Sequence, residues 1–412
     1  MIKNITRKDL LILFGNVIDH FDTSLYVFLA PLLAPLFFPN EDKVIGLIMA
    51  YSVFATTIIT RPLGIYIFSI IAKNKGPNLS LSLSLIGVGI TTFFVGFLPY
   101  HADIGILSPI IFILLRSFRE IFAAGEVAIA SIYILDNKTD KIAFKSAYLF
   151  QGSTMLGIIL ASLSATSLYY IESKDFWRIY YFIGGGAAII GYILRKKYFI
   201  SNSNARVKKC PKLYGLNILW ANKVNILKIA IITGCSYLTY SLPFIIIHNL
   251  IPLVTNIDIK MIAINNNLML IFDLLLIFII GNISSNFHFQ DIMKYASLAL
   301  AIIIIPLFYF LENSSFEYVI FVKFVIITLG IIYMCPLTMW TKNIIPNNKD
   351  NYLIIGIGSG LGSSIIGKLS PAICLSIFHY SNNINFVAIF LMLIFLSACI
   401  IIINTPYNET NL

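Results

Sequence analysis

Twelve long apolar segments are the feature that most restricts how this chain can fold. Each is long enough to cross a lipid bilayer as an α-helix. They lie at about residues 10–38, 44–72, 79–99, 106–135, 143–170, 178–199, 224–254, 261–283, 292–311, 316–341, 352–379 and 384–404. Only 12% of the residues are charged, about half the usual share in soluble proteins, which argues against a soluble fold. The pattern predicts an all-α membrane protein with twelve transmembrane helices.

One long polar stretch, residues 195–223, divides the segments into six and six. We therefore predict an N-terminal six-helix half over residues 1–200, a cytoplasmic linker over 201–223 and a C-terminal six-helix half over 224–412. Most other connections are very short, so neighbouring helices should pack antiparallel. Six helices plus six, joined by a basic linker, is the layout of two repeated halves around a central path.

The distribution of positive charge predicts the orientation in the membrane. With both termini in the cytoplasm, 19 Lys and Arg residues fall in cytoplasmic loops and 4 in external loops. Because positive residues collect on the cytoplasmic side, we predict a multi-pass protein of a bacterial inner membrane with both termini cytoplasmic. The formal net charge of +10 then requires no nucleic-acid partner. Membrane lipid is the expected surrounding, an anionic-lipid contact at the linker stays open, and we expect a monomer.

No sequence pattern indicates an enzyme, a metal site or a cofactor. The five cysteines contain no CxxC pair and predict no disulfide framework: Cys210, Cys235, Cys335, Cys374 and Cys399. The glycine-rich run at residues 356–367 superficially resembles a dinucleotide loop. It lies inside an apolar run with no strand before it, so it is better explained by close helix packing.

The fourth segment carries four charged residues within a stretch of membrane-spanning length: Arg116, Arg119, Glu120 and Glu126. At about 100° per residue they fall on roughly a third of the helix surface. Ala123 and Ala130 lie between them, so a neighbouring helix or a substrate could approach closely. A charge inside a bilayer normally faces the protein interior or a wet cavity. Two interpretations stay open, a buried ion-pair network and a charged stripe along a transport path.

The first segment has a polar stripe of its own, formed by Asp19, Asp22 and Tyr26. With a rise of 1.5 Å per residue, the two aspartates lie roughly 15–20 Å beyond the helix start, close to the bilayer midplane. We expect Glu126 at a similar depth. Buried carboxylates respond to partners and hydration, which suits groups that take up and release protons. Simple pairing with arginines is the alternative.

The second segment contains Arg61-Pro62-Leu63-Gly64, which predicts a bend or a tight helix crossing and a pairing of Arg61 with a carboxylate of the first segment. Acids and bases in the membrane region balance five against five. The acids are Asp19, Asp22, Glu120, Glu126 and Asp273, and the bases are Arg61, Arg116, Arg119, Lys323 and Lys368. A zwitterion or carboxylate substrate could therefore exchange into this set by replacing an internal partner.

The site prediction follows from these charges. Guanidinium pairs well with carboxylate, so we expect the substrate at four residues: Arg116, Arg119, Arg61 and Tyr26. We expect proton coupling at four carboxylates: Asp19, Asp22, Glu126 and Glu120. No catalytic residue, cofactor ligand or metal ligand is predicted.

Three motifs resemble the metabolite:proton symporter family of the major facilitator superfamily, especially its proline/betaine transporters. They are GNVIDHFD at residues 15–22, RPLG at residues 61–64, and Arg116 followed by Gly125-Glu126. The resemblance implies a major facilitator-like fold and proton-coupled uptake of a small zwitterion or carboxylate, such as proline, betaine or an organic acid. It also makes Asp22 and Glu126 the preferred coupling pair.

The chain departs from the family pattern at several positions. Lys73 and Pro77 stand where the loop after the second span usually has Asp and Arg, and Arg119 and Glu120 replace Gln and Gly. The arginines usual after the tenth span are replaced within Pro346–Asp350. These departures keep a second hypothesis open, a non-transporting or degenerate membrane sensor.

Overall fold

The computed structural model describes residues 6–134, 140–171, 173–199, 216–284, 287–344 and 351–405. Within them the chain forms twelve long helical spans, each at one of the segments predicted from the sequence. The first six are Arg7–Phe37, Lys43–Lys75, Pro77–Val95, Leu107–Tyr133, Asp140–Ser167 and Trp177–Phe199. The last six are Lys223–Val254, Ile259–Ser284, Phe289–Tyr309, Phe316–Thr341, Leu353–Ser381 and Ile384–Ile403.

The prediction of an all-α membrane protein is confirmed. Eleven of the described spans are long and apolar enough to cross a membrane by length and composition. The remaining one is the fourth span, Leu107–Tyr133, whose four charged side chains lower its hydropathy. Short helices at His101–Ile104 and Leu216–Ala221 lie between spans.

Four spans are interrupted rather than uniform α-helices. The interruptions are a 3₁₀ turn at Val53–Thr56, π turns at Leu242–Ile246 and Ser363–Lys368, and a break between Met334 and Leu337. Pro243 lies inside the first π turn, Pro336 lies at the break, and Pro371 follows the second π turn. Proline lacks a backbone N–H and clashes with the preceding turn, so the helix must change its hydrogen-bond register there.

The described residues group into two compact units, each built from separated parts of the chain. The first unit takes the described residues of Met1–Tyr26, Thr56–Leu227 and Asn347–Leu361. The second unit takes those of Val27–Ala55, Lys228–Pro346 and Gly362–Leu412. The division at residues 200 and 223 remains a prediction, and most of the linker lies outside the described residues.

Small residues allow the helices of the first unit to pack closely. A methyl group at Gly64 would collide with the carbonyl oxygen of Ile121 on the fourth span. The glycine of the RPLG motif therefore permits the tight crossing that the sequence predicted. Asn16, from the GNVIDHFD motif, donates 2.8 Å hydrogen bonds to Ser153 Oγ and Thr154 Oγ1 on the fifth span.

The second unit uses glycine in the same way. A methyl group at Gly362 would overlap the carbonyl oxygen of Ala230, and one at Gly367 would meet the ring of Tyr237 at 2.5 Å. The glycine-rich part of the eleventh span thus contacts the seventh span at short range. These contacts explain the run as a packing surface, as the sequence indicated.

The orientation remains a prediction with a direct test. In a background without the five native cysteines, we expect Ser203→Cys to react with an impermeant thiol reagent only after the cells are opened. A cysteine at Lys174, in a predicted external loop, is the matched control and should react in intact cells. Labelling at position 203 from outside intact cells would contradict the Lys and Arg asymmetry on which the prediction rests.

Candidate functional site

A buried group of six charged side chains lies in the first unit, and we call it the central cluster. Its members are Asp19, Asp22, Arg61, Arg116, Arg119 and Glu120. Arg119 is its centre. Its Nη2 lies 2.6 Å from Asp19 Oδ1, its Nε lies 2.5 Å from Asp22 Oδ2, and its Nη1 lies 3.0 Å from Glu120 Oε1. One guanidinium thus joins three carboxylates from the first and fourth spans.

Two further arginines complete the cluster. Arg61 Nε donates to Glu120 Oε2 at 3.1 Å, and Arg116 Nη1 donates to Asp22 Oδ2 at 3.2 Å. The six side chains are at most 9% exposed. An unpaired buried charge costs several kcal/mol. Three guanidinium groups balance three carboxylates in this cluster, so its buried charges are compensated. The pairing of Arg61 with Glu120 was not predicted, since a carboxylate of the first span was expected.

Arg116 is incompletely satisfied. Its Nε and Nη2 are buried and have no hydrogen-bond partner among the described residues. The guanidinium carbon lies 4.8 Å from the centre of the Tyr26 ring, and that ring packs 5.1 Å from Phe112. The unpaired Nε–Nη2 edge has two parallel donors, which is the geometry that binds a carboxylate bidentately.

Two uncharged side chains at the cluster were missed by sequence reasoning. Thr92, on the third span, donates to Asp22 Oδ1 at 2.9 Å. Tyr181, on the sixth span, is fully buried, and its hydroxyl has no hydrogen-bond partner among the described residues. The charged groups of Arg116, Asp22 and Arg119 interact electrostatically with this hydroxyl. A single hydroxyl in an apolar helix carries no periodic signal, so only the packing identifies these residues.

Glu126 belongs to a separate pair. Arg195 Nη2 lies 2.6 Å from Glu126 Oε1 and Arg195 Nη1 lies 2.7 Å from Oε2, so the pair is bidentate. Ser84 donates to the same carboxylate at 3.2 Å, and Arg195 also donates to the carbonyl oxygens of Leu11 and Leu81. A methyl group at Gly15 would overlap the Arg195 guanidinium. The glycine of the GNVIDHFD motif therefore makes room for this arginine.

This pair corrects two sequence-based expectations. Arg195 is one of the 19 Lys and Arg residues counted as cytoplasmic and was left out of the balance of membrane charges, although the predicted sixth segment, 178–199, includes it. In the structure it lies in the sixth span and is fully buried. Glu126 was expected at the depth of Asp22, but it lies level with Gly15, about 10 Å nearer to the start of the first helix at 1.5 Å per residue. Helical periodicity predicted the direction of the Glu126 side chain around the helix axis, but it could not predict which residue that side chain contacts.

Breaking the Arg195 pair is expected to destabilise the first unit. Arg195→Met leaves the Glu126 carboxylate buried without a cation, which typically costs about 3–5 kcal/mol. We expect a lower yield of monodisperse protein and a lower thermal unfolding midpoint in detergent. The double variant Arg195→Met/Glu126→Gln carries no uncompensated charge and should recover most of the loss. If Arg195→Met is as stable as the parent, the pair has no structural role.

The remaining charges of the predicted balance lie in the second unit. Asp273 and Lys323 are buried, and Lys368 Nζ lies 5.2 Å from the centre of the Phe54 ring. Of the family departures, Lys73 lies in the last turn of the second span and Pro77 is the first residue of the third helix, where proline fits well. Residues 345–350, at the other departure, lie outside the described residues.

No protein-family model matches the chain. The proline/betaine transporter of Salmonella typhimurium (strain LT2) is 31% identical over 186 residues, which are 44% of this chain and 37% of that protein. The proline/betaine transporter of Escherichia coli (strain K12) is 24% identical over 404 residues, covering 92% of this chain and 79% of that protein. The solved structure of the major facilitator superfamily proton:xylose symporter XylE superposes with a TM-score of 0.75 at 13% identity, covering 97% of this chain and 95% of the other.

These similarities confirm two predictions. The resemblance to proline/betaine transporters extends over most of the chain, although the 31% match spans little more than a third of the relative's length. The structural match confirms the twelve-helix major facilitator-like fold.

Proposed function

Starting from a chain with the major facilitator fold and a sequence relationship to proline/betaine transporters, we propose that the protein is a secondary active transporter. It takes up a small zwitterion or carboxylate, such as proline, betaine or an organic acid, together with protons. The similar proteins are named as transporters and, for the solved structure, as a proton symporter, which supports this class of function.

The unsatisfied edge of Arg116 is the observation that carries the proposal. A buried donor without a partner costs about 1–3 kcal/mol, and more when it is charged. A ligand carboxylate would satisfy both Nε and Nη2 at once. The hydroxyl of Tyr181 offers a further hydrogen bond in the same electrostatic environment. A solute that carries a carboxylate is therefore the ligand that fits best.

Charge balance couples this binding to a proton. The central cluster is neutral when all six groups are ionised. An anionic solute, or a zwitterion whose cationic group lies outside the cluster, therefore adds one excess negative charge to it. Protonation of a cluster carboxylate restores neutrality in a medium where net charge is costly. Asp22 is the strongest candidate, because it shares Arg116 with the incoming carboxylate and has Arg119 and Thr92 as its other partners.

The other predicted coupling carboxylates have different surroundings. Asp19 and Glu120 contact Arg119 and respond to the same charge balance. Both oxygens of Glu126 are taken by Arg195. We therefore propose coupling at Asp22, with Asp19 and Glu120 as secondary carriers, and a structural role for Glu126.

Uptake by reconstituted proteoliposomes tests the proposal. We expect labelled carboxylate-bearing solutes to accumulate when an inwardly directed proton gradient is imposed, and only to equilibrate without it. Protein-free liposomes give the background. The altered residues Lys73 and Pro77 favour the alternative function, a non-transporting sensor. Solute binding without flux under any gradient would support that alternative. Accumulation driven by sodium alone would replace the proton by another ion.

A further inference from the structure

Lys323, on the tenth span, is a buried basic residue without an ionic partner in the described part of the chain. It is 0% exposed, and it forms no ion pair with any carboxylate in the described part of the chain. Its Nζ donates one hydrogen bond, 2.5 Å long, to Asn266 Oδ1 on the eighth span. An ammonium group has three donors, so two remain for another acceptor. Asp273, two helical turns beyond Asn266, is buried in the same unit but does not pair with Lys323.

The hydrogen bonds around Asn266 fix the donor directions. Since Lys323 can only donate, Asn266 Oδ1 accepts, and its Nδ2 must donate. That Nδ2 lies 3.1 Å from the carbonyl oxygen of Phe244 and 3.0 Å from His248 Nδ1. His248 Nδ1 is therefore the acceptor, which places the proton of the neutral imidazole on Nε2. The three side chains, named here the Lys323 cluster, thus retain only donors: two on Lys323 and one on His248 Nε2.

The cluster is assembled at one level of the second unit. His248 lies six residues before the end of its helix at Val254, while Asn266 and Lys323 each lie seven residues after the starts of theirs. At 1.5 Å per residue all three are about 10 Å from these ends. Phe244 lies within the π turn Leu242–Ile246, and such turns are frequent at functional sites.

We propose that the Lys323 cluster is a carboxylate-binding site in the second unit. A carboxylate would accept charge-assisted hydrogen bonds from Lys323, and His248 Nε2 is a further donor of the same cluster. The negative charge of the carboxylate would compensate the buried lysine, which has no carboxylate partner among the described residues. The class of ligand rests on the proposed function, a carboxylate-bearing solute. The residues are separate from Arg116, so the two assignments can fail independently.

Thermal unfolding of the purified full-length protein in nanodiscs tests the site. The probes are potassium acetate, potassium succinate, proline and glycine betaine, each compared with potassium chloride at equal ionic strength. A ligand that binds the folded state raises the unfolding midpoint. We expect at least one carboxylate probe to raise the midpoint of the parent. In Lys323→Met the concentration giving half of this rise should increase about tenfold or more.

Matched variants separate binding from stability. Lys323→Arg keeps the charge and should keep the rise, and Lys260→Met, which removes an exposed lysine in the same unit, should behave like the parent. Without ligand, Lys323→Met should be no less stable than the parent, because it removes an unpaired buried charge. If it fails to fold, His248→Phe provides the same test by removing the Nε2 donor.

Three outcomes would overturn the proposal: no carboxylate probe stabilises the parent beyond chloride, the rise is equal in the parent and Lys323→Met, or Lys260→Met loses it equally. Arg116→Gln in the same assay reports on the proposed function. A rise weakened in both Lys323→Met and Arg116→Gln supports both assignments. A rise lost in Lys323→Met but retained in Arg116→Gln supports this site and rejects Arg116 as the carboxylate receptor. The reverse result rejects this site alone.

Discussion

Arg116→Gln is expected to weaken binding of a carboxylate-bearing solute about 100-fold, which corresponds to about 2.7 kcal/mol. The reason is the unpaired Nε–Nη2 edge of the guanidinium. Nε and Nη2 are buried without a partner among the described residues, and a bidentate carboxylate would satisfy both. Glutamine cannot provide this charged two-donor edge. Equilibrium binding of the labelled solute to purified protein is the measurement, with uptake by proteoliposomes as the functional readout.

The fold should survive this substitution, because Asp22 keeps Arg119 and Thr92 as partners. Arg116→Lys retains the charge but not the planar donor edge, and it should fall between the parent and Arg116→Gln. Arg7→Gln removes an exposed arginine from the start of the first helix and should leave binding unchanged. A neutral or cationic solute as substrate would refute the assignment, and loss of stable expression in Arg116→Gln would instead indicate an essential structural ion pair.

Asp22→Asn is expected to abolish accumulation driven by a pH gradient and to leave exchange of solute between two pools intact. The substitution keeps the shape of the side chain but fixes it in an uncharged form, as if permanently protonated. Net uptake then loses its proton step, whereas exchange requires no net proton movement. Parallel assays in proteoliposomes, one with an imposed gradient and one with solute on both sides, measure the two activities.

The matched control is Asp175→Asn, which neutralises a carboxylate of the first unit whose side chain is 65% exposed. It should accumulate solute like the parent. Accumulation at the parental level by Asp22→Asn would exclude Asp22 as the coupling group. Loss of both activities would assign Asp22 to solute binding or to the integrity of the central cluster.

The sequence alone determined the helical architecture. Twelve apolar runs of membrane-spanning length predicted twelve helices, because apolar length is a local property and each helix in lipid satisfies its own backbone hydrogen bonds. The sequence also identified Asp19, Asp22, Arg116 and Arg119 as members of one buried site. Their spacing places them on single faces of two helices, and charges at that depth must face the protein interior.

Only the tertiary structure decided which charge meets which. Periodicity specifies a direction around one helix axis, but it contains neither the identity of the facing helix nor the depth at which two side chains meet. Periodicity therefore placed Glu126 on the same face as Arg116 and Arg119, whereas its partner is Arg195, 69 residues away. Arg195 was not recognised as a membrane charge because it lies next to the basic linker in the sequence.

Packing between helices also determined the surroundings of the side chains that we assign to ligand binding. The Nε–Nη2 edge of Arg116 is unpaired because Asp22 occupies only Nη1. Tyr181, on the sixth span, interacts electrostatically with the same arginine. Lys323 and Asn266 lie 57 residues apart in the chain, and no local pattern links them. Whether a segment forms a helix depends on its own neighbouring residues. Whether a buried donor finds a hydrogen-bond partner depends on every helix that packs around it, and only the folded chain determines that packing.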